Sequence, residues 1–249
     1  MNQAWLALAF LCAGTAGAAG PSYDAAGVVS ASNYTPGPFA PNSVISIFGK
    51  DLARSTEAAA GGATLPTELN FVQVFVENQR VPLLYVSDGQ INFVMSSLLK
   101  PGVVNIRVVT QGLSGPEIPV TLVDCAPSLF VSKVTGFAIA FSADYKLLTP
   151  DNPAHAGDIV VIYLTGLGRT SPTFNAGEVP GSAALITSPL RVTLDNQEVD
   201  PGLIKYAGVA PGFPGIYQLN LEIPKGAPVD PELKVTGNVT SGGLKLAIR

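Results

Sequence analysis

Along much of the chain, apolar and polar residues alternate one by one, which sets their side chains on opposite faces of an extended strand. In Phe71-Val72-Gln73-Val74-Phe75-Val76 the three valines fall on one face. In Leu190-Arg191-Val192-Thr193-Leu194, Arg191 and Thr193 point away from the apolar side. Asn105-Ile106-Arg107-Val108 and Leu244-Lys245-Leu246-Ala247-Ile248 repeat the device. No segment sustains the i, i+3, i+4, i+7 stripe of an amphipathic helix for more than a turn or two. The best helix candidate, Leu52 to Ala60, is short and stops at Gly61-Gly62. With 26 glycines and 21 prolines to supply turns, the pattern predicts an all-β chain of many short strands.

The strands come in two copies. Val44-Ile45-Ser46-Ile47-Phe48 matches Ile159-Val160-Val161-Ile162-Tyr163. Val74-Phe75-Val76-Glu77-Asn78-Gln79 matches Val192-Thr193-Leu194-Asp195-Asn196-Gln197, each a strand, an acid-Asn-Gln turn and the start of a second strand. Gln90-Ile91-Asn92 matches Gln218-Leu219-Asn220, and each copy closes on a last strand, Ile118 to Leu122 and Leu244 to Ile248. A module of roughly 80 to 100 residues with short strands at regular spacing reads as a small sandwich. Two tandem immunoglobulin-like β-sandwiches are therefore expected, over residues 20–124 and 125–249. The second includes an entry hairpin, Phe137 to Phe141 with Lys146 to Leu148.

Residues 1–19 read as a signal peptide. The short apolar run Ala4 to Ala13 leads into Ala16-Gly17-Ala18, an A-x-A cleavage site. The run is shorter than the roughly 20 residues that span a bilayer, so no membrane span is expected after its removal. The expected location is secreted, periplasmic or cell-surface. Cleavage would remove Cys12 and leave Cys125 as a lone thiol, which suits a small apolar niche rather than a disulfide.

Composition narrows function mainly by exclusion. Charged residues make up 13% of 249 and the net charge is −4, which does not suit a phosphate-backbone partner, so no nucleic acid is expected. The single histidine, His155, lies in the turn-like Asn152-Pro153-Ala154-His155-Ala156-Gly157, without partners for a triad or a zinc site. Ser97-Leu98-Leu99-Lys100 has the Ser-x-x-Lys spacing of penicillin-binding enzymes, but Pro101-Gly102 breaks any helix there and the companion motifs are missing. The prolines of Gly208 to Gly215 remove amide donors that a phosphate loop needs. No cofactor, metal or catalytic residue is assigned. A glycosidase built from acids that converge only in three dimensions stays as an alternative.

The ordered segments resemble a known family. They are Val28 to Tyr34, Ala40 to Ala53, Leu83 to Asn92, Asn152-Pro153-Ala154, Thr165 to Gly168, Tyr206 to Phe213 and Gly215 to Asn220. Together they resemble the Solibacter-type uncharacterised C-terminal domain family of secreted acidobacterial proteins, from about residue 28 to the C-terminus. The resemblance implies an extracellular setting and strands similar to IPT/TIG immunoglobulin-like domains. It carries no activity and no site residues. The chain departs from that pattern at Asn42 and His155.

Two polar and aromatic features remain. Gln90 and Asn92 share a strand face, as do Gln218 and Asn220. Buried amides need hydrogen-bond partners, here expected from neighbouring loop backbone, and the duplication favours a structural role. Tyr206, Phe213 and Tyr217, near the Gly-Pro loop, are candidate sugar-stacking residues if exposed, with Tyr34 and Tyr85 as further candidates. The opposing reading is core packing, or a tyrosine hydroxyl pinning a corner. The leading expectation is a non-catalytic structural or interaction module with an unknown protein or envelope partner. The alternatives are a carbohydrate-binding module that holds polysaccharide, and an enzyme with an unrecognised site.

Overall fold

The computed structural model describes residues 20–175 and 177–249; the expected signal peptide lies outside them. The first half runs β1 (Val28–Ser30), β2 (Val44–Phe48), β3 (Glu57–Ala58), β4 (Val72–Val76), β5 (Gln79–Arg80), β6 (Leu83–Val86), β7 (Gln90–Val94), β8 (Gly102–Thr110) and β9 (Leu113–Leu122). One sheet has the order β1-β2-β7-β6-β3, the other β5-β4-β8-β9. The second half runs β10 (Ser128–Leu129), β11 (Ala140–Ser142), β12 (Ile159–Thr165), β13 (Thr170–Ser171), β14 (Leu185–Ile186), β15 (Arg191–Leu194), β16 (Gln197–Glu198), β17 (Ile204–Val209), β18 (Tyr217–Glu222), β19 (Glu232–Thr236) and β20 (Leu244–Lys245). Its sheets are β10-β12-β18-β17-β14-β13, with β11 also on β12, and β16-β15-β19-β20. Every named strand pair is antiparallel, and each half is an immunoglobulin-like sandwich of two sheets.

The alternation in sequence becomes the two inner faces. Val72, Val74 and Val76 are fully buried and share a core with Ile45, Ile47, Ile91, Phe93, Ile106 and Val108. In the second half Ile162, Leu164, Leu219 and Leu221 share a core with Val192, Leu194, Leu233 and Val235. Burying each such side chain contributes about 1.5–3 kcal/mol. Leu52 to Ala60, the best helix candidate, instead forms bends and the short edge strand β3; the helical turns among the described residues are 3₁₀ turns at Ala25–Gly27 and Pro201–Leu203. Cys125 is a buried free thiol in the second core, lying against Gly237. Burial pushes the thiol up to about 11.

The acid-Asn turns close both equivalent hairpins. Asp195 and Asn196 have φ of 49° and 64°, and Glu77 has φ of 54°, left-handed values that fit two-residue hairpin loops. The acid also ties the hairpin to the next strand. Asn105 N–H donates to Glu77 Oε1 at 2.7 Å, and Glu232 N–H donates to Asp195 Oδ1 at 2.8 Å. Asp195→Ala is therefore expected to cost about 1 kcal/mol. A urea midpoint unchanged from the parent would show that water replaces the carboxylate without loss.

The halves meet along a polar seam. Val44 N–H donates to Thr165 Oγ1 at 2.9 Å, whose hydroxyl donates to the Gly215 carbonyl. Ser32 Oγ donates to Ser128 Oγ at 2.6 Å. Leu65 N–H donates to the Gly177 carbonyl and Val179 N–H to the Ala63 carbonyl. Arg169 spans the seam, donating to the Ser97 and Leu99 carbonyls and pairing with Asp124 at 3.0 Å. A guanidinium suits this job because its fork of donors engages several acceptors at once.

Candidate functional site

The site builds outward from β12 and β18. Successive residues on a strand point to opposite faces, so Tyr163 lies on the outer face while Ile162 and Leu164 enter the core. Tyr163 pairs across the ladder with Gln218, and Val161 with Asn220. On the other side of β12, Phe141 pairs with Val161. The rings of Phe141 and Tyr163 meet edge to face with centroids 5.7 Å apart, a favoured aromatic geometry. Phe130 and Ile139 join this face, and Phe213 and Ile216 reach it from the loop between β17 and β18. The six residues line an open groove of about 340 Å³. Phe213 is 57% exposed, so its ring adds to a contiguous apolar surface with the other five residues.

Beside the rings, Gln218 Nε2 donates to Asn220 Oδ1 at 2.7 Å. In the first half Gln90 Nε2 donates to Asn92 Oδ1 at 2.9 Å, and Ser46 Oγ donates to the same oxygen at 2.8 Å. These half-buried amides bond along their own strand, not to loop backbone as the sequence suggested. The reason is reach: residues two apart on one strand face are neighbours, and a Gln amide spans that gap. The pairing leaves each amide with hydrogen-bonding capacity beyond the bond it makes along the strand.

Of the three candidate stacking residues in the second half, the structure brings only Phe213 into the groove. Tyr217 is fully buried, with its hydroxyl donating to the Gly168 carbonyl; burial pushes its phenol well above the ordinary range. It is a core residue at the seam, as the packing reading of the sequence had it, and not a stacking residue. Tyr206 is half-buried, its hydroxyl donating to the Val209 carbonyl at 2.7 Å and its ring lying over Gly208. It pins the end of β17. The residues that sequence reasoning missed are Phe130, Phe141 and Tyr163. For Tyr163 a signal existed: it stands opposite Gln218 once the two strands are paired in register.

The groove carries little charge. Burial, with Tyr145 beside it, raises the Tyr163 phenol above its ordinary value. His155 is exposed and 3.8 Å from Asp158, within its turn. Ser97 donates to the Phe174 carbonyl in a loop, and its neighbour Lys100 is not on a helix. Among the described residues no group of three His, Cys, Asp or Glu is placed to hold a metal ion, and no helix is long and apolar enough to cross a membrane.

Comparison with protein-family models and with curated proteins gives no match. Among solved structures, the chain is similar to a surface glycan-binding protein from Prevotella bryantii at 12% identity and a TM-score of 0.29, covering 83% of this chain and 36% of that one. It is also similar to a surface glycan-binding protein of the Bacteroides ovatus mixed-linkage glucan utilization locus, in complex with a mixed-linkage heptasaccharide. There the identity is 9% and the TM-score 0.34, with 92% of this chain and 47% of that one covered. A third similar structure, the tandem Ig repeats of Dlar, shows 11% identity and a TM-score of 0.20 over 92% of this chain and 94% of that one. The chain thus spans about a third to a half of the length of the first two.

Proposed function

We propose that this chain is a non-catalytic binding module that works outside the cytoplasm and holds neutral polysaccharide on the outer face of its second sandwich. One observation carries the reading: an open aromatic groove whose rings are fixed by edge-to-face packing, bordered by an ordered amide pair. A pyranose ring presents a face of C–H groups and a rim of hydroxyls. The C–H face suits the flat rings of Phe141, Tyr163 and Phe213, and the rim suits the free amide positions of Gln218 and Asn220. Such a site needs neither charge nor a deep cleft. A groove open along its length also accepts a polymer that continues past it.

The test is binding of the purified protein to a panel of soluble and insoluble polysaccharides, with Phe141→Ala, Tyr163→Ala and Phe213→Ala alongside. Each stacking ring contributes about 0.5–1.5 kcal/mol beyond its buried area. A single ring loss is expected to weaken binding roughly tenfold, with thermal unfolding shifted little. Retention on no polysaccharide would overturn the reading. Cross-linking to one envelope protein through the same groove would replace it with a protein-docking role.

A further inference from the structure

The outer face of the first sandwich repeats the aromatic-amide arrangement at three ladder positions, and supplies a second ring from the turn after β1. In the ladder Phe48 stands opposite Gln90, as Tyr163 stands opposite Gln218. Each Gln donates its amide to the Asn two residues on. Opposite that Asn is a tyrosine, Tyr85 in the first half and Tyr206 in the second, each just after a break in strand register. A second ring packs edge to face on the first: Tyr34 on Phe48 at 5.5 Å, and Phe141 on Tyr163 at 5.7 Å. The phenol hydroxyl has changed places between the two rings of the pair. Tyr34 and Phe48 are 43% and 37% exposed, so both rings are open to a ligand.

The two faces adjoin. Phe130 lines the groove of the second half, and three residues on, Lys133 lies over the Tyr34 ring with 5.4 Å to its centroid. Between them Val131 N–H donates to the Ser32 carbonyl, stitching this segment to the first half. Three residues of extended chain span at most roughly 10 Å. The segment 130–133 thus runs from the groove of the second half to the Tyr34 ring of the first.

Resting on the proposed function, we infer that Tyr34, Phe48, Gln90 and Asn92 form a second saccharide subsite, and that one polysaccharide strand engages both halves together. Two weak subsites on one strand gain by effective concentration, so long oligomers bind far better than short ones.

The experiment compares the whole chain with two double variants, Tyr34→Leu with Phe48→Leu and Phe141→Leu with Tyr163→Leu. Leucine keeps apolar volume while removing the flat faces, and thermal melting checks that each variant folds. The probes are β-1,4-linked tri- and octasaccharides of glucose, xylose, mannose and N-acetylglucosamine, measured by calorimetry. For the sugar that binds, each double variant is expected to lose tenfold or more in octasaccharide affinity. The Tyr34/Phe48 variant should also lose most of the gain from trisaccharide to octasaccharide. If that variant binds the octasaccharide like the parent while the Phe141/Tyr163 variant does not, the second subsite is overturned and the proposed function stands. If the parent binds none of the probes, the two-subsite inference falls; the proposed function falls with it only if no polysaccharide of the wider panel is retained.

Discussion

Tyr217→Ala is expected to destabilise the protein by about 3–5 kcal/mol, the range for removing a fully buried aromatic side chain. The residue sits between Leu219 and the seam, and its hydroxyl satisfies the Gly168 carbonyl. Alanine would open a cavity in the second core and remove that hydrogen bond together. Tyr217→Phe isolates the second effect and should cost about 1–2 kcal/mol, with Asn42 Nδ2, 3.5 Å from the same carbonyl, taking up part of the loss. Urea unfolding followed by circular dichroism separates the two. A cost below 1 kcal/mol for alanine would mean that the core closes over the gap.

Gly166→Ala and Gly168→Ala should be harsher still. Both glycines have left-handed backbones, φ of 82° and 85°, which for an L-residue costs about 1–2 kcal/mol. Here a Cβ would also collide with main-chain oxygen, of Ala126 at Gly166 and of Asp124 at Gly168. Neither oxygen belongs to a flexible side chain, so relief would require parting the segment 124–126 from β12, where Ala126 N–H donates to the Gly166 carbonyl. The expected result is loss of soluble folded protein. Gly136→Ala supplies the control: its φ is 73° but an added Cβ meets open space, so it should show the backbone cost alone. Equal yields of all three variants would remove the steric argument.

Alternation made much of the architecture legible in advance, because an inward face shows in any strand long enough to repeat. Val72, Val74 and Val76 were readable from their spacing and are fully buried. Tyr217 was readable by the same rule: it is in phase with Leu219 and Leu221, whereas Gln218 and Asn220 face out. Its aromatic character, taken alone, suggested a surface instead. Groove residues were harder because Phe130, Phe141, Tyr163 and Phe213 lie on separate segments, and only strand pairing brings their rings together. Tyr163 was further masked by the run Ile159 to Tyr163, where continuous apolar character hides which side each residue takes. The amide pairs showed as a repeat, but their partners depended on geometry that composition does not encode.

The polar seam has a consequence for the order of events during synthesis. The N-terminal sandwich leaves the ribosome first, yet its Val44 and Leu65 amides find their acceptors only on Thr165 and Gly177. The Ser97 and Leu99 carbonyls likewise wait for Arg169. Until more than 170 residues have emerged, the first sandwich carries a wet, unfinished edge. Its final closure therefore needs the second sandwich, and the first sandwich alone would present that polar margin to water.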